Sequence, residues 1–481
     1  MAHLRAAFWR QTSILPLVVL RVGFGGLMFA GALRFVANGW VEAFYVQPEF
    51  HFTYWGLAWV RPLPGPGLYV VFGALALAAL GVAAGLFYRW SIVVFFVLFT
   101  YIELLDKTYY LNHYYFVSLL SLLLIFLPLG RWASLDAWRR PHTAAPTIGA
   151  WAVGAVRLQI GLVYFFAGIA KIKPDWLLEA LPLRIWLNAR TDFPLFGPLF
   201  DLTWTPYLMS WGGMLFDLTI PFLLLYRPTR LWAYLAVIGF HTLTGLLFPI
   251  GLFPWIMIVC TLVFFSADEL RRALGWMRIP LPSAPVGAPA FRVRGLMRLT
   301  APLLALFFTV QSLVALRHWY YPGDVLWTEE GFRFAWHVML VEKTGQVTFW
   351  VEDPARGRAF PVYPSDYLTY QQEKQMSFQP DMILAFAHYL AERLQAQGMG
   401  DVAIRAEAYV SLNGRPSRLL LDPTVDLTRV ADGLAPKPWI LPADAQEMTD
   451  SEEKETHAPQ CTDCNDSAGT ADVSLARSLQ R

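Results

Sequence analysis

Four polar clusters sit in or beside long apolar runs, and each carries groups that can bind or move a proton. The first, "ELLDKTYYLNHYY", holds Asp106, Lys107, Asn112 and His113. The second, "RLQIGLVYFFAGIAKIKPDW", holds Arg157, Gln159, Tyr164 and Lys171. Asp217 interrupts "GGMLFDLTIPFLLLY", and His241 lies within "GFHTLTGLLFPIGLF". Ionisable side chains at membrane depth are costly, and those that persist usually face a protein interior or a cavity. The chemistry open to such a set is proton transfer. A lysine kept partly dry can be a neutral amine, and histidine or asparagine can hydrogen-bond a developing oxyanion.

Each residue also has a plainer reading. Lys171, directly after "FFAGIA", can be an anchor that snorkels to the membrane interface. Asp106 and Lys107 can form an ordinary interfacial ion pair. His113 can be a satisfied buried polar group, and Asp217 can pair with Arg157 in a structural bridge. A metal centre is not expected: the histidines lack close ligand spacing, and "CTDC" (Cys461, Cys464) is a lone C-x-x-C in a polar tail. Residue types alone leave both readings open.

The elements that must position these residues are membrane helices. Of 481 residues 56% are hydrophobic and only 15% charged, where a soluble domain carries about 25% charge. A formal net charge of +2 gives no reason to expect a nucleic-acid partner. Three cysteines cannot build a disulfide framework. Apolar runs at roughly 14–36, 67–88, 90–105, 112–128, 152–170, 206–226, 231–249, 251–267 and 297–316 predict a bundle of about nine transmembrane helices. Several are near the lower length limit for spanning. The first follows Arg5 and Arg10 and lacks a clean cleavage site, so it reads as a helix and not a removed signal.

Basic residues set the expected orientation. Arg5, Arg10, Arg89, the segment "GRWASLDAWRRPH", "RPTR" at 227–230 and the arginines of 268–298 alternate onto one side, which is then cytoplasmic. The loops 37–66, 106–111, 171–205 and 249–250 fall on the other side with everything after 317. The transmembrane domain is therefore expected over 1–316, N-terminus inside, with a C-terminal extracytoplasmic α+β domain over 317–445. Within that domain "AWHVMLVEKTGQVTFWVED" alternates like two strands around a Thr-Gly turn. "DMILAFAHYLAERLQAQG" has helical spacing and a C-cap at Gly398, and "VAIRAEAYVSLNGRPSRLLLDP" reads as two strands around an Asn-Gly turn. Residues 446–481, polar with almost no aromatics, are expected to be a disordered tail.

At these same residues the chain resembles the vitamin K-dependent gamma-glutamyl carboxylase family. "LLDKTYYLNHYYFVSLL" is similar to that family's "LLDKT…NH" segment, and "RLQIGLVYFFAGIAKIKPDW" to its "QI…VYFIAG…K…DW" segment. "FDLTIPFLLLYRPTR", "FHTLTGLLFPIGLFPWIMI", "EGFRFAWHVML" and "VSLNGRPSRLLLDPTVDL" follow in the same order, so the likeness covers roughly 14–440. The resemblance implies a multi-pass membrane enzyme, a peptidyl-glutamate 4-carboxylase and so a carbon–carbon lyase. It would turn peptidyl glutamate into gamma-carboxyglutamate and reduced vitamin K, of phylloquinone or menaquinone type, into its epoxide. O2 and CO2 would be co-substrates, with no metal. A glutamate-containing protein or peptide is the implied partner, alongside the lipid membrane and a reductase that regenerates the quinone.

The family's active-site lysine matches Lys171, where Ala170 stands in place of the first lysine of a pair that some members carry. Its asparagine–histidine pair matches Asn112 and His113. Tyr164, Phe165, Asp106 and His241 are the expected cofactor-binding residues, and Trp327, Arg333 and Trp336 the expected clamp for a glutamyl peptide. Packing of those aromatics at the domain joint is the competing reading. The family's disulfide between membrane and outer regions has no counterpart, so that joint is expected to rest on packing. Such a reaction suits these residue types. An exposed lysine has a pKa of about 10.4; desolvation and the nearby Lys173 would both favour the neutral amine that a base requires. The alternative is a membrane quinone-binding or transport module that keeps the pocket without carboxylase activity. Persistence of the outer "LLLDPTVDL" segment favours the enzyme. On this topology, a reporter active only in the cytoplasm, fused after Pro436, is expected to be silent. A strong signal there would overturn the orientation.

Overall fold

The computed structural model describes residues 2–194, 196–282 and 297–443. In chain order its main membrane-region helices are α1 (Leu15–Ala37), α2 (Gly67–Ala84), α3 (Tyr88–Leu105), α4 (Asn112–Ile125), α5 (Ala150–Ala170), α6 (Thr205–Leu225), α7 (Arg230–Leu247), α8 (Phe253–Thr261) and α9 (Met297–Leu316). Seven helices among the described residues are long and apolar enough to cross a membrane. The expected count of about nine is not met, because α4 and α8 are short. At 14 residues α4 rises about 21 Å, against a hydrocarbon core of about 30 Å. The chain beyond α4 makes up distance. The backbone N–H groups of Phe87 and Tyr88 donate to Asp136 at 2.9 and 2.8 Å, so residues 112–136 lead from one end of α3 to the other.

Small residues bring the helices together. A Cβ on Gly25 of α1 would lie 2.5 Å from Ala83 N and 2.8 Å from Ala79 O of α2. A Cβ on Gly168 of α5 would lie 3.0 Å from Leu218 N and 2.8 Å from the Leu218 side chain of α6. Close backbone approach of this kind is how membrane helices gain packing energy where lipid removes the hydrophobic drive.

The C-terminal part carries an antiparallel sheet of β1 (Lys343–Asp353), β2 (Arg358–Val362), β3 (Ala403–Leu412) and β4 (Arg418–Leu419), in spatial order β2-β1-β3-β4. Period-2 alternation explains it: Val347, Phe349 and Val351 of β1, with Ile404, Ala406, Ala408 and Val410 of β3, are buried. Onto that face packs α11 (Pro380–Ala396), which follows α10 (Tyr370–Met376); the Phe349 and Phe386 rings meet at 5.0 Å. Asn413 and Gly414, with φ of 54° and 76°, form the expected turn between β3 and β4. Gly398, at φ 85°, follows α11 as expected.

The expected strand pair around Thr344-Gly345 is not formed. Both residues lie inside β1, and the glycine is there because Ser377 O would stand 2.5 Å from a Cβ at position 345. Residues 329–340 before it are irregular, with Glu329, Phe334, Trp336 and Met339 at positive φ. Their apolar side chains pack against the membrane region, its loops as well as α4, instead of a sheet. The Phe334 ring meets those of Tyr54, Tyr110 and Tyr115, and Trp336 meets Tyr115 at 5.0 Å. The expected tail at 446–481, its two cysteines, and Arg292 and Arg294 lie outside the described residues.

The joint does not rest on packing alone, because ion pairs run through it. Asp381 of α11 accepts from Lys107 and Arg333, each at 2.7 Å. Gln372 donates to Asp106 at 3.0 Å and Trp186 to Glu342 at 2.5 Å. Arg415 forks onto Asp175 at 2.7 and 2.8 Å, and Lys173 meets Asp324 at 2.6 Å. Burial acts to raise the Asp381 pKa, but the Arg333 and Lys107 charges outweigh it and hold the carboxyl well below its usual range. A depressed acid stabilises the fold above its unfolded pKa, so this contribution persists at neutral pH and is lost only in strong acid. Asp381→Ala strands Lys107, whose side chain is 3% exposed, and is expected to cost about 3–5 kcal/mol. Thermal unfolding in detergent, with limited proteolysis after residue 317, measures it.

Candidate active site

Lys171 caps the C-terminal end of α5 and is buried. Its Nζ donates to Asp217 Oδ2 at 2.8 Å and to Ala167 O at 3.2 Å, and lies 5.6 Å from the centre of the Trp176 ring. Asp217 therefore pairs with Lys171 and not with Arg157. The Arg157 guanidinium donates to the carbonyls of Val263 and Phe264 at 3.0 and 3.1 Å. A buried ammonium without a counter-charge would be strongly penalised, and this partner makes the site electrically neutral. Lys173 does not stand over Lys171 as an uncompensated charge, since it is paired with Asp324.

Lys171 and Asp217 line a small cavity of about 90 Å³, together with Tyr164, His241, Trp176 and Phe253. The Tyr164 hydroxyl and His241 Nε2 are 2.8 Å apart. A much larger cavity of about 660 Å³ adjoins it. Ile250, Phe253, Val338 and Met339 line both, so they form a shared wall. Phe253 stands between two histidines: its ring centre lies 5.6 Å from His113 and 5.7 Å from His241. Two of the wall residues, Val338 and Met339, come from the irregular segment of the C-terminal part. The joint is thus also a wall of the site.

His113 and Asn112 line the large cavity, at the start of α4. The His113 ring has no hydrogen-bond partner among the described residues. Asn112 is tied down: Tyr110 Oη donates to its Oδ1 and its Nδ2 donates to His337 O, both at 3.0 Å. Most of the remaining lining is aromatic or aliphatic, including Phe35, Phe44, Tyr45, Phe72 and Phe99. Ligand pockets of small molecules fall in the range of about 300–1,000 Å³ with this character. Among the described residues no group of His, Cys, Asp and Glu could hold a metal ion.

Other expected site residues lie elsewhere. Asp106 lines neither cavity; it caps the turn after α3 by accepting from Thr108 N at 2.8 Å and meets Gln372. Burial pushes its pKa up to about 6, against the hydrogen bonds it accepts. Phe165, one residue past Tyr164 and so about 100° around the helix, is 37% exposed on the outer face of α5. Trp327 donates to Leu441 O at 2.8 Å, Arg333 binds Asp381 and Gln379, and Trp336 is buried against Tyr115. None of the three lines either cavity; Arg333 and Trp336 take part in the joint, while the hydrogen bond of Trp327 stays within the C-terminal part. Sequence reasoning missed Asp217 as the lysine's partner, for the two lie 46 positions apart on different helices. It also missed Glu103, a buried carboxyl lining the large cavity; its position in the apolar run "FFVLFTYIELL" is the signal that could have found it.

Residues 9–268 match the HTTM domain, and residues 296–446 match the vitamin K-dependent gamma-carboxylase, lumenal domain. The chain belongs to the vitamin K-dependent gamma-glutamyl carboxylase family. No solved structure matches it. At the level of the family this means a multi-pass membrane protein with an extracytoplasmic C-terminal domain, vitamin K-dependent carboxylation and a glutamate-containing substrate. The approach of α5 to α6 at Gly168 positions Lys171 against Asp217. Gly168→Val is expected to cost about 1–3 kcal/mol by overpacking. Gly154→Val, on the same helix with nothing within 4 Å of a Cβ, is expected to cost less than half of that. Thermal unfolding of the two variants in detergent compares them.

Proposed function

We propose that this chain carboxylates peptidyl glutamate and oxygenates reduced vitamin K to its epoxide, using O2 and CO2, with Lys171 as the base. The observation that carries the reading is the buried Lys171–Asp217 pair, set behind a shared wall from an aromatic cavity of quinone size. We assign residues 1–316 to the membrane domain with the quinone and active site, and 317–445 to peptide binding. The N-terminus is on the cytoplasmic side.

The large cavity suits a ring-and-tail lipid. Its aromatic lining accepts flat and isoprenoid surface, and the unpartnered His113 ring is available to bond a ring oxygen. Asn112 holds the start of α4 and so the direction of His113. When bound, reduced vitamin K supplies, through O2, the strong base that a glutamate γ C–H demands. The small cavity is too confined for a bicyclic ring, so the role of Lys171 is exercised at the shared wall beside Phe253, Val338 and Met339. Lys171 Nζ can take up a proton only as the amine. Asp217 Oδ2, 2.8 Å away, is where the ammonium's proton can be placed, so the pair exchanges one proton without creating an isolated charge. Tyr164 and His241 extend the hydrogen-bonding groups of the same cavity.

Mass spectrometry of a glutamate-containing peptide, incubated with membranes, reduced vitamin K and bicarbonate, tests the activity. The peptide should gain CO2 only when all components are present. Lys171→Ala is expected to lower epoxide formation by about two to four orders of magnitude, with partial rescue by raised pH or small amines. Lys171→Arg should stay inactive, because guanidinium keeps its proton. Asp217→Asn should fall by at least tenfold, while Asp324→Asn, at the partner of Lys173, should retain most activity. An active Lys171→Arg would sink the mechanism.

A further inference from the structure

Four charged side chains line the two cavities: Lys171 and Asp217 in the small one, Arg34 and Glu103 in the large one. The first pair neutralise each other. Glu103 accepts from Ser118 at 2.6 Å. Arg34 alone among these cations has no carboxylate partner among the described residues. It sits in the last turn of α1, with its guanidinium carbon 4.9 Å from the centre of the Trp40 ring. Nη1 lies 3.7 Å from where a Cβ on Gly251 would be, so the fork reaches across to the turn between α7 and α8. Arg34 is an exposed residue, and its guanidinium lies between an indole and a neighbouring turn at the rim of the cavity.

The same cavity is lined by Gln371 and Gln375, from α10 of the C-terminal part. A chain approaching from that side meets two amides suited to a peptide backbone, then a planar fork suited to a carboxylate. We infer that Arg34 binds the γ-carboxylate of the substrate glutamate and is the residue that selects glutamate over neutral side chains. This rests on the carboxylase reading and deepens it. Loss of a γ proton puts a second negative charge next to the carboxylate, so a fixed guanidinium there favours the charge that develops. Stacking on Trp40 keeps the fork in place, which lowers the entropy lost on binding.

Binding to the full chain in lipid nanodiscs tests this, using a short peptide with one glutamate and its twin with glutamine. Wild type is expected to prefer the glutamyl peptide by about tenfold or more. Arg34→Gln should bring that preference to within about twofold while binding of the glutaminyl peptide persists, and Arg34→Lys should fall between, keeping charge without the fork. A preference that survives Arg34→Gln would overturn the inference, as would equal loss of both peptides, which marks a structural role. Unchanged preference with loss of co-purified phospholipid would assign Arg34 to a lipid headgroup, again against it. Carboxylation by wild type is measured alongside. Activity with a preference indifferent to Arg34 refutes this inference alone, and Arg34-dependent binding without carboxylation refutes the enzymatic reading alone.

Discussion

A lysine ammonium cannot be taken out of water alone, and much of the membrane region is arranged around that constraint. Lys171 ends α5 at a depth where its side chain is almost fully covered, so a carboxylate must be brought to it. Asp217 supplies it from the middle of α6. That requires the two backbones to approach within a distance only a residue without a Cβ permits, and Gly168 stands at the contact. One glycine, one lysine and one aspartate thus fix the spacing of two helices and the neutrality of the cavity between them. On the proposed reading, neutrality is also what makes the pair useful. Two groups 2.8 Å apart can exchange a proton with little reorganisation in a medium that would penalise either charge alone.

The C-terminal part contributes more than a lid. Residues 329–340 form no regular structure because their apolar side chains are committed to the membrane region, and Val338 and Met339 reach the wall shared by both cavities. Left-handed backbone at Phe334, Trp336 and Met339 is uncommon for such side chains and persists where surroundings fix it. Those surroundings are the ring cluster of Tyr54, Tyr110 and Tyr115 and the Arg333–Asp381–Lys107 triad. Because Asn112 also donates to His337 O, a displacement of this segment would be felt at the start of α4 and hence at His113. Stability of the joint and shape of the site are therefore one property.

Particular residues show how much of this was legible in advance. The membrane class followed from the scarcity of charge, and β3, its Asn-Gly turn and α11 followed from period and turn chemistry. Gly345 misled, because a glycine read as a turn is here a concession to Ser377 O, which arrives from 32 positions further on. Nine apolar runs suggested nine crossings, yet hydropathy does not report that α4 stops after 14 residues. Trp327, Arg333 and Trp336 have the residue types of a binding clamp, yet none of them lines either cavity.

Sequence by itself determined the chemical inventory: apolar segments, the lysine at the end of one, the asparagine–histidine pair at the start of another, and an outer sheet. These depend on local composition and short periodicities, which a linear reading captures. Only the tertiary structure decided which groups meet. It gave Asp217 to Lys171 instead of Arg157, put Asn112 and His113 in a different cavity from Lys171, turned Phe165 outward, and left Arg34 without a counter-charge among the described residues. Such pairings join helices far apart in the chain. They are set by helix phase and by where small residues let backbones approach, neither of which is written in any one segment.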